Sequence, residues 1–279
     1  MKWIGRRESG NVEDRRGGGG GRIAAGGGIG ALVLAAIVYF LGGDPSQVLP
    51  PESSAPQEQS PAQAGEDSQL AKYLAVVLAD TEDVWDSLFT ANGKRYIQPG
   101  LVLFSGRDQS GCGPADAGMG PFYCPADSKI YIDLSFVQEL QSRFGAKQGD
   151  FPIAYVLAHE VGHHVQHLLG VTEQSGRLRQ QLSQTAYNKV SVQVELQADF
   201  YAGIWTHYND KMKQVLEPGD IEEALSAAAA VGDDRIQEQT QGSVRPDLFT
   251  HGTAEQRMEW FKKGYTSGDL SQGRISLGN

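Results

Sequence analysis

Nineteen residues from Ile23 to Leu41, IAAGGGIGALVLAAIVYFL, carry no charge. About 20 apolar residues suffice for a helix to cross a bilayer core, so the run predicts one transmembrane helix over residues 23–41. A buried core helix fits less well, because a polar, Gly-rich stretch precedes the run and a Pro-rich one follows it. A cleaved signal peptide is the closer rival. Against it, the run is long for a signal peptide, and the first Ala-x-Ala site, Ala62 to Ala64, lies well downstream. Pro45, Pro50, Pro51, Pro56 and Pro61 then fall among Ser, Gln and acids. Such a segment cannot bury enough apolar area to offset chain entropy, and it predicts a semi-extended tether over residues 42–68.

Beyond the tether the pattern changes. Leu70, Tyr73, Leu74, Val77, Leu78, Thr81, Val84, Trp85 and Leu88 recur at helical spacing. Gly100–Phe104 and Lys129–Asp133 read as short strands, joined by a Gly/Pro-rich loop that holds Cys112 and Cys124. Further helices are expected over about 135–144, 150–170, 173–212 (with a break), from 219 through Ala227–Ala230, and over 253–263. The fold class expected for residues 69–279 is therefore α+β, mostly helical, with a small early sheet.

Composition narrows the field. Hydrophobic residues are 40% and charged residues 21% of 279, which excludes a wholly disordered chain. Two cysteines exclude a disulfide-dense scaffold and a four-cysteine zinc ribbon. A net charge of −10 argues against a nucleic-acid partner, because phosphate binding needs a basic footprint. The charge is uneven: residues 1–43 carry six Lys/Arg against three Asp/Glu, and residues 44–68 carry five acids and no base. Basic flanks stay in the cytoplasm. The expectation is a single-pass membrane protein with a basic cytoplasmic tail, residues 1–22, and an extracytoplasmic domain. In an oxidising compartment Cys112 and Cys124, twelve positions apart, can pair. Nothing in the sequence reports the oligomeric state.

The chemistry concentrates at His159-Glu160-Val161-Gly162-His163. Residues i and i+4 stack on one helix face, so two imidazoles can share a metal ion. Glu160, one residue round the helix, can act as general base toward an activated water. Zinc suits such a site. The flanks Ile153–Ala158 and Val165 are apolar, and burying two His and a Glu there is costly unless they are paired or metal-bound. His167 lies about 12 Å from His159 along the axis, too far to share the ion. His164 points off the face, and Gln166 and Leu169 fail the longer HExxHxxGxxH pattern. A later helix can supply the third ligand. Glu195 and Asp199 stand at i, i+4 among apolar neighbours; Glu195 can complete a His2Glu set, and Asp199 can accept the other N–H of a ligand His.

HEVGHH with ELQADFYAG resembles gluzincin-type zinc metallopeptidases. More closely, the chain resembles the bacterial neutral zinc metallopeptidase family, through Lys2–Arg16 (KWIGRRESGNVEDRR), Gly120–Pro125 (GPFYCP), Lys129–Asp133 and His251–Arg257 (HGTAEQR). The likeness covers nearly all of the chain except the tether. It implies a zincin-like fold and one Zn2+ per chain, with His159, His163 and Glu195 as ligands, Glu160 as the base and Asp199 orienting a ligand His. It further implies that Lys129–Asp133 is the edge strand beside the cleft, able to pair with an extended peptide. His251 is a candidate donor to the oxyanion, or alternatively a cap before the helix at Thr253. The expected activity is peptide-bond hydrolysis. A catalytically silent binding module and a hydrolase of non-peptide amides are the alternatives.

Overall fold

A computed structural model describes residues 1–16 and 61–277. The apolar run 23–41 and nearly all of the tether lie outside the described residues; among the latter, no helix is long and apolar enough to cross a membrane. Residues 1–16 and 68–277 belong to one compact body. It is mostly helical, with a four-stranded sheet and a separate β-hairpin.

The chain enters with β1 (Val12–Asp14), and α1 (Pro61–Ala91) follows the undescribed stretch. Pro61 starts this helix, so residues 61–68 are helical where an extended tether was expected. Proline is tolerated at a first helical turn because its missing N–H is unpaired there anyway. Then come β2 (Gly100–Phe104), β3 (Arg107–Ser110), β4 (Gly113–Asp116), β5 (Phe122–Cys124) and β6 (Lys129–Asp133). The sheet order is β1-β2-β6-β5, with β1, β2 and β6 parallel and β5 antiparallel to β6. Two expectations change. Lys129–Asp133 is an interior strand, and the edge on its side of the sheet is Phe122–Cys124. The stretch expected as a loop contains β5 and the β3–β4 hairpin, whose turn is tied to β5 by the Cys112–Cys124 disulfide.

The amino terminus is also corrected. Residues 1–16 do not form a separate tail; they are built into the body. Leu101 N–H donates to Asn11 O at 2.8 Å, and Arg15 N–H to Leu103 O at 2.8 Å. The Met1 ammonium lies 3.1 Å from both Asp220 and Glu217. Arg6 pairs with Asp80 at 2.6 Å, and Ser9 and Asn11 both donate to Glu82 Oε1. Asp80 and Glu82 are buried on α1, where an unpaired carboxylate would be costly. The basic residues that resemble a topogenic flank are thus, in part, the partners of buried acids.

The remaining helices are α2 (Ser135–Ser142), α3 (Phe151–Leu168), α4 (Val171–Gln181), α5 (Gln184–Lys213), α6 (Asp220–Ala230), α7 (Asp233–Gln241) and α8 (Ala254–Ser267). Every residue of α3 from Phe151 to Gly162 is buried, which accounts for its unbroken apolar start. Glycines set two helix crossings. A Cβ on Gly162 of α3 would lie 2.9 Å from Ala198 O of α5. A Cβ on Gly203 of α5 would meet Phe261 O of α8 at 2.1 Å, and one on Gly264 of α8 would meet Phe200 O at 2.1 Å. Backbone therefore packs on backbone at both crossings, and α3, α5 and α8 bring their polar residues to one place.

Candidate metal centre

His159 and His163 on α3 meet Glu195 on α5. His159 Nε2 lies 3.2 Å from His163 Nε2 and 3.2 Å from Glu195 Oε2; His163 Nε2 lies 3.5 Å from Glu195 Oε2. Tetrahedral zinc with bonds near 2.05 Å requires donor separations of about 3.3 Å. The triangle fits. Among the described residues this is the group of three such side chains able to hold a metal ion.

Proton positions strengthen the fit. His159 Nδ1 lies 2.8 Å from Asp199 Oδ1, and His163 Nδ1 lies 2.8 Å from Gln166 Oε1. Both partners are acceptors, so in the neutral rings the protons sit on Nδ1 and both Nε2 atoms are bare. Two lone pairs and a carboxylate then face one another at the floor of the cleft, an arrangement that a bound cation stabilises. Without a metal, protons take that role. Burial disfavours charge on His159, but Asp199 and Glu195 outweigh it and raise its pKa to about 10. Burial likewise opposes ionisation of Glu195, and the two imidazoles overcome it, holding its carboxyl well below the ordinary range.

Asp199 is fully buried and is itself held on all sides. Tyr155 Oη donates to Oδ1 at 2.5 Å, Arg257 Nε to Oδ2 at 2.8 Å and an Arg257 terminal nitrogen to Oδ1 at 3.0 Å. Burial pushes the Asp199 pKa up, yet Arg257 and His159 bring it down to about 2. Tyr155 and Arg257 were not singled out as site residues from the sequence, although Tyr155 stands one turn before His159 on the same face. His164 turns away from the centre. It takes the Tyr123 hydroxyl on Nδ1 at 2.9 Å and donates Nε2–H to Ile97 O at 2.6 Å. Burial lowers its pKa to about 4, and it ties α3 to edge strand β5 as a neutral ring.

A cavity of about 680 Å³ opens over the centre. Phe122, Tyr123 and Pro121 of the β5 region form one wall, Tyr187, Ser191 and Val194 of α5 another, and Glu160, His159, His163 and Glu195 line the floor. His251 lines it too, its side chain half exposed. Its Nδ1 lies 3.1 Å from Asp233 Oδ1. Burial opposes its charge, but Asp233 and then Glu195 raise its pKa. The cap before α8 is Thr253 in a capping box with Gln256, so capping is not the role of His251.

The model of the family described as "Putative neutral zinc metallopeptidase" matches residues 1–274. The chain belongs to this family. The match takes in residues 1–16, in keeping with their place in the folded body. The family's relatives include "Uncharacterized protein YpfJ" of Escherichia coli (strain K12), 47% identical over 281 residues, covering 98% of this chain and 97% of that protein. "Uncharacterized protein Rv2575" of Mycobacterium tuberculosis (strain H37Rv) is 43% identical over 247 residues, covering 82% of this chain and 81% of its own length. No solved structure matches the chain.

Proposed function

We propose that this chain is a zinc-dependent peptidase with the site architecture of a zincin. The observation that carries the reading is the convergence of His159 Nε2, His163 Nε2 and Glu195 Oε2 at tetrahedral spacing on the floor of an open cleft. Held by these three atoms, zinc would supply Lewis acidity, polarising a scissile carbonyl and lowering the pKa of water. Glu160 then accepts a proton from the attacking water and returns it to the departing amine nitrogen. His251, whose cationic form Asp233 favours, donates from Nε2 to the developing oxyanion. An extended substrate adds to the free edge of β5, pairing its backbone with Phe122–Cys124. Its side chains then face Phe122, Tyr123 and Val194, so apolar residues are favoured beside the cleaved bond.

The disulfide supports an oxidising compartment for the body. Residues 23–41 supply the membrane association, and residues 1–16 share a compartment with the rest of the body that they help to build. The test is metal content and cleavage together. Full-length protein purified without added metal should carry about one zinc per chain and cut a peptide library. Glu160→Gln should keep the zinc and the fold and lose the cleavage. Absence of zinc, or undiminished cleavage by Glu160→Gln, refutes the reading.

A further inference from the structure

The two candidate ligand histidines are oriented differently. Asp199 holds His159 through an anion; Gln166 holds His163 through a neutral amide. We propose that Gln166 and Gln197 form a one-way amide relay, anchored on the Gly273 carbonyl, that fixes the proton of His163 on Nδ1 and presents Nε2 bare to the metal. This rests on the metal reading above.

The direction of the relay follows from groups that can only accept. Gln197 Nε2 lies 2.7 Å from Gly273 O, and Gln166 Nε2 lies 2.7 Å from Val194 O. Backbone carbonyls have no proton to give, so each amide must turn its NH2 toward them. That leaves Gln197 Oε1 to accept the second Gln166 N–H, at 3.0 Å. Gln166 Oε1 then has one place left to face, His163 Nδ1, at 2.8 Å. Turning either amide over would set carbonyl oxygen against carbonyl oxygen. Gln166 is 1% and Gln197 4% exposed, so water does not readily repair a mismatch.

The consequence is positional. The tautomer of a ring on α3 is set from the 3-10 turn Leu270–Gly273 near the carboxyl end, through α5. An amide achieves this without adding charge to a centre that already holds Glu195, Asp199 and Arg257. Gln166 is thus a positioning residue: its side-chain polar atoms are engaged by His163, Val194 and Gln197, and it acts on the metal through His163.

The experiment measures zinc affinity of the full-length protein by competition with a chromogenic chelator, alongside thermal unfolding with the metal removed. Losing an outer partner of a ligand His lowers metal affinity about 10–100-fold, and Gln166→Met should fall in that range. Gln197→Met should weaken zinc in the same direction but less, because Val194 O still holds Gln166. Gln166→Met/Gln197→Met should bind zinc as Gln166→Met does, since the second link matters only through the first. Affinity of Gln166→Met within about twofold of the unaltered protein, or effects that multiply in the double variant, overturns the relay. If Gln166→Met does not fold, Gln197→Met decides: unchanged zinc affinity overturns it. If the unaltered protein binds no zinc, the metal reading falls and the relay with it; zinc binding unaffected by these substitutions removes the relay alone.

Discussion

Replacing Arg257 by methionine tests how the centre is held before any metal arrives. Arg257 is 4% exposed, and Asp199, which receives two of its N–H groups, is 0% exposed. Hydrogen bonds to a charged group contribute about 1.5–3 kcal/mol each, so losing two costs roughly 3–6 kcal/mol. Breaking a buried ion pair by removing one partner costs about 3–5 kcal/mol, an independent route to a similar figure. Methionine keeps much of the arginine stem's packing, so the change isolates the charge. The expected loss for Arg257→Met is therefore about 3–5 kcal/mol, read from urea unfolding near pH 7 with chelator present. Asp199→Asn in the same background removes the anion that Arg257 and His159 share. The loss in the double variant should be less than the sum of the two single losses, because Arg257 and Asp199 act largely through each other. A single variant within about 1 kcal/mol of the unaltered protein, or additive losses in the double variant, would refute the coupling.

Two further outcomes follow from the same structure. A histidine whose folded pKa is raised contributes stability that is complete below its unfolded value, 6.5, and is lost as pH climbs through about 10, as expected for His159. Metal-free protein should therefore lose thermal stability across that window, whereas zinc should bind more tightly as the rings deprotonate; a metal-free profile that stays flat counts against the clustered site. For topology, Glu8→Cys and Lys262→Cys, both at exposed positions of one body, should react with a membrane-impermeant maleimide in the same fraction of intact and opened cells. Labelling from opposite sides would mean that residues 1–16 do not complete the sheet in the cell.

The readable part of the site was the part written in helical spacing. His159 with His163, and Glu195 with Asp199, are each i, i+4 pairs, so their shared faces follow from covalent geometry. Arg257 joins them across 58 residues, and nothing local announces it; its arrival depends on the close crossing of α5 and α8, where Gly203 abuts Phe261 and Gly264 abuts Phe200. Gln166 stands where the longer HExxHxxGxxH pattern needs a glycine, and it proved to be the partner of the candidate ligand His163, one turn further along α3. The cleft wall was hidden for a different reason. β5 has three residues, too few to show alternation, and it sits among glycines and prolines that read as loop.

The amino terminus shows how one set of residues can satisfy two physical readings. Lys2, Arg6, Arg7 and Arg15 before an apolar run satisfy the charge rule for a cytoplasmic flank. The same arginines satisfy Asp80, Glu82, Asp83 and Asp108 within the body. β1 is Val-Glu-Asp, with no apolar face to mark it as a strand, and it is recruited by backbone pairing to Leu101–Leu103 rather than by burial. What separates the readings is the acids' surroundings. Asp80 and Glu82 are each 2% exposed on a stretch of α1 that is buried on all sides, and carboxylates so placed need nearby cations. Lys213 of α5 reaches Asp80 from one side, and Arg6 and Arg7 reach Asp80 and Glu82 from the amino terminus, so the buried acids of α1 tie residues 1–16 to the folded body.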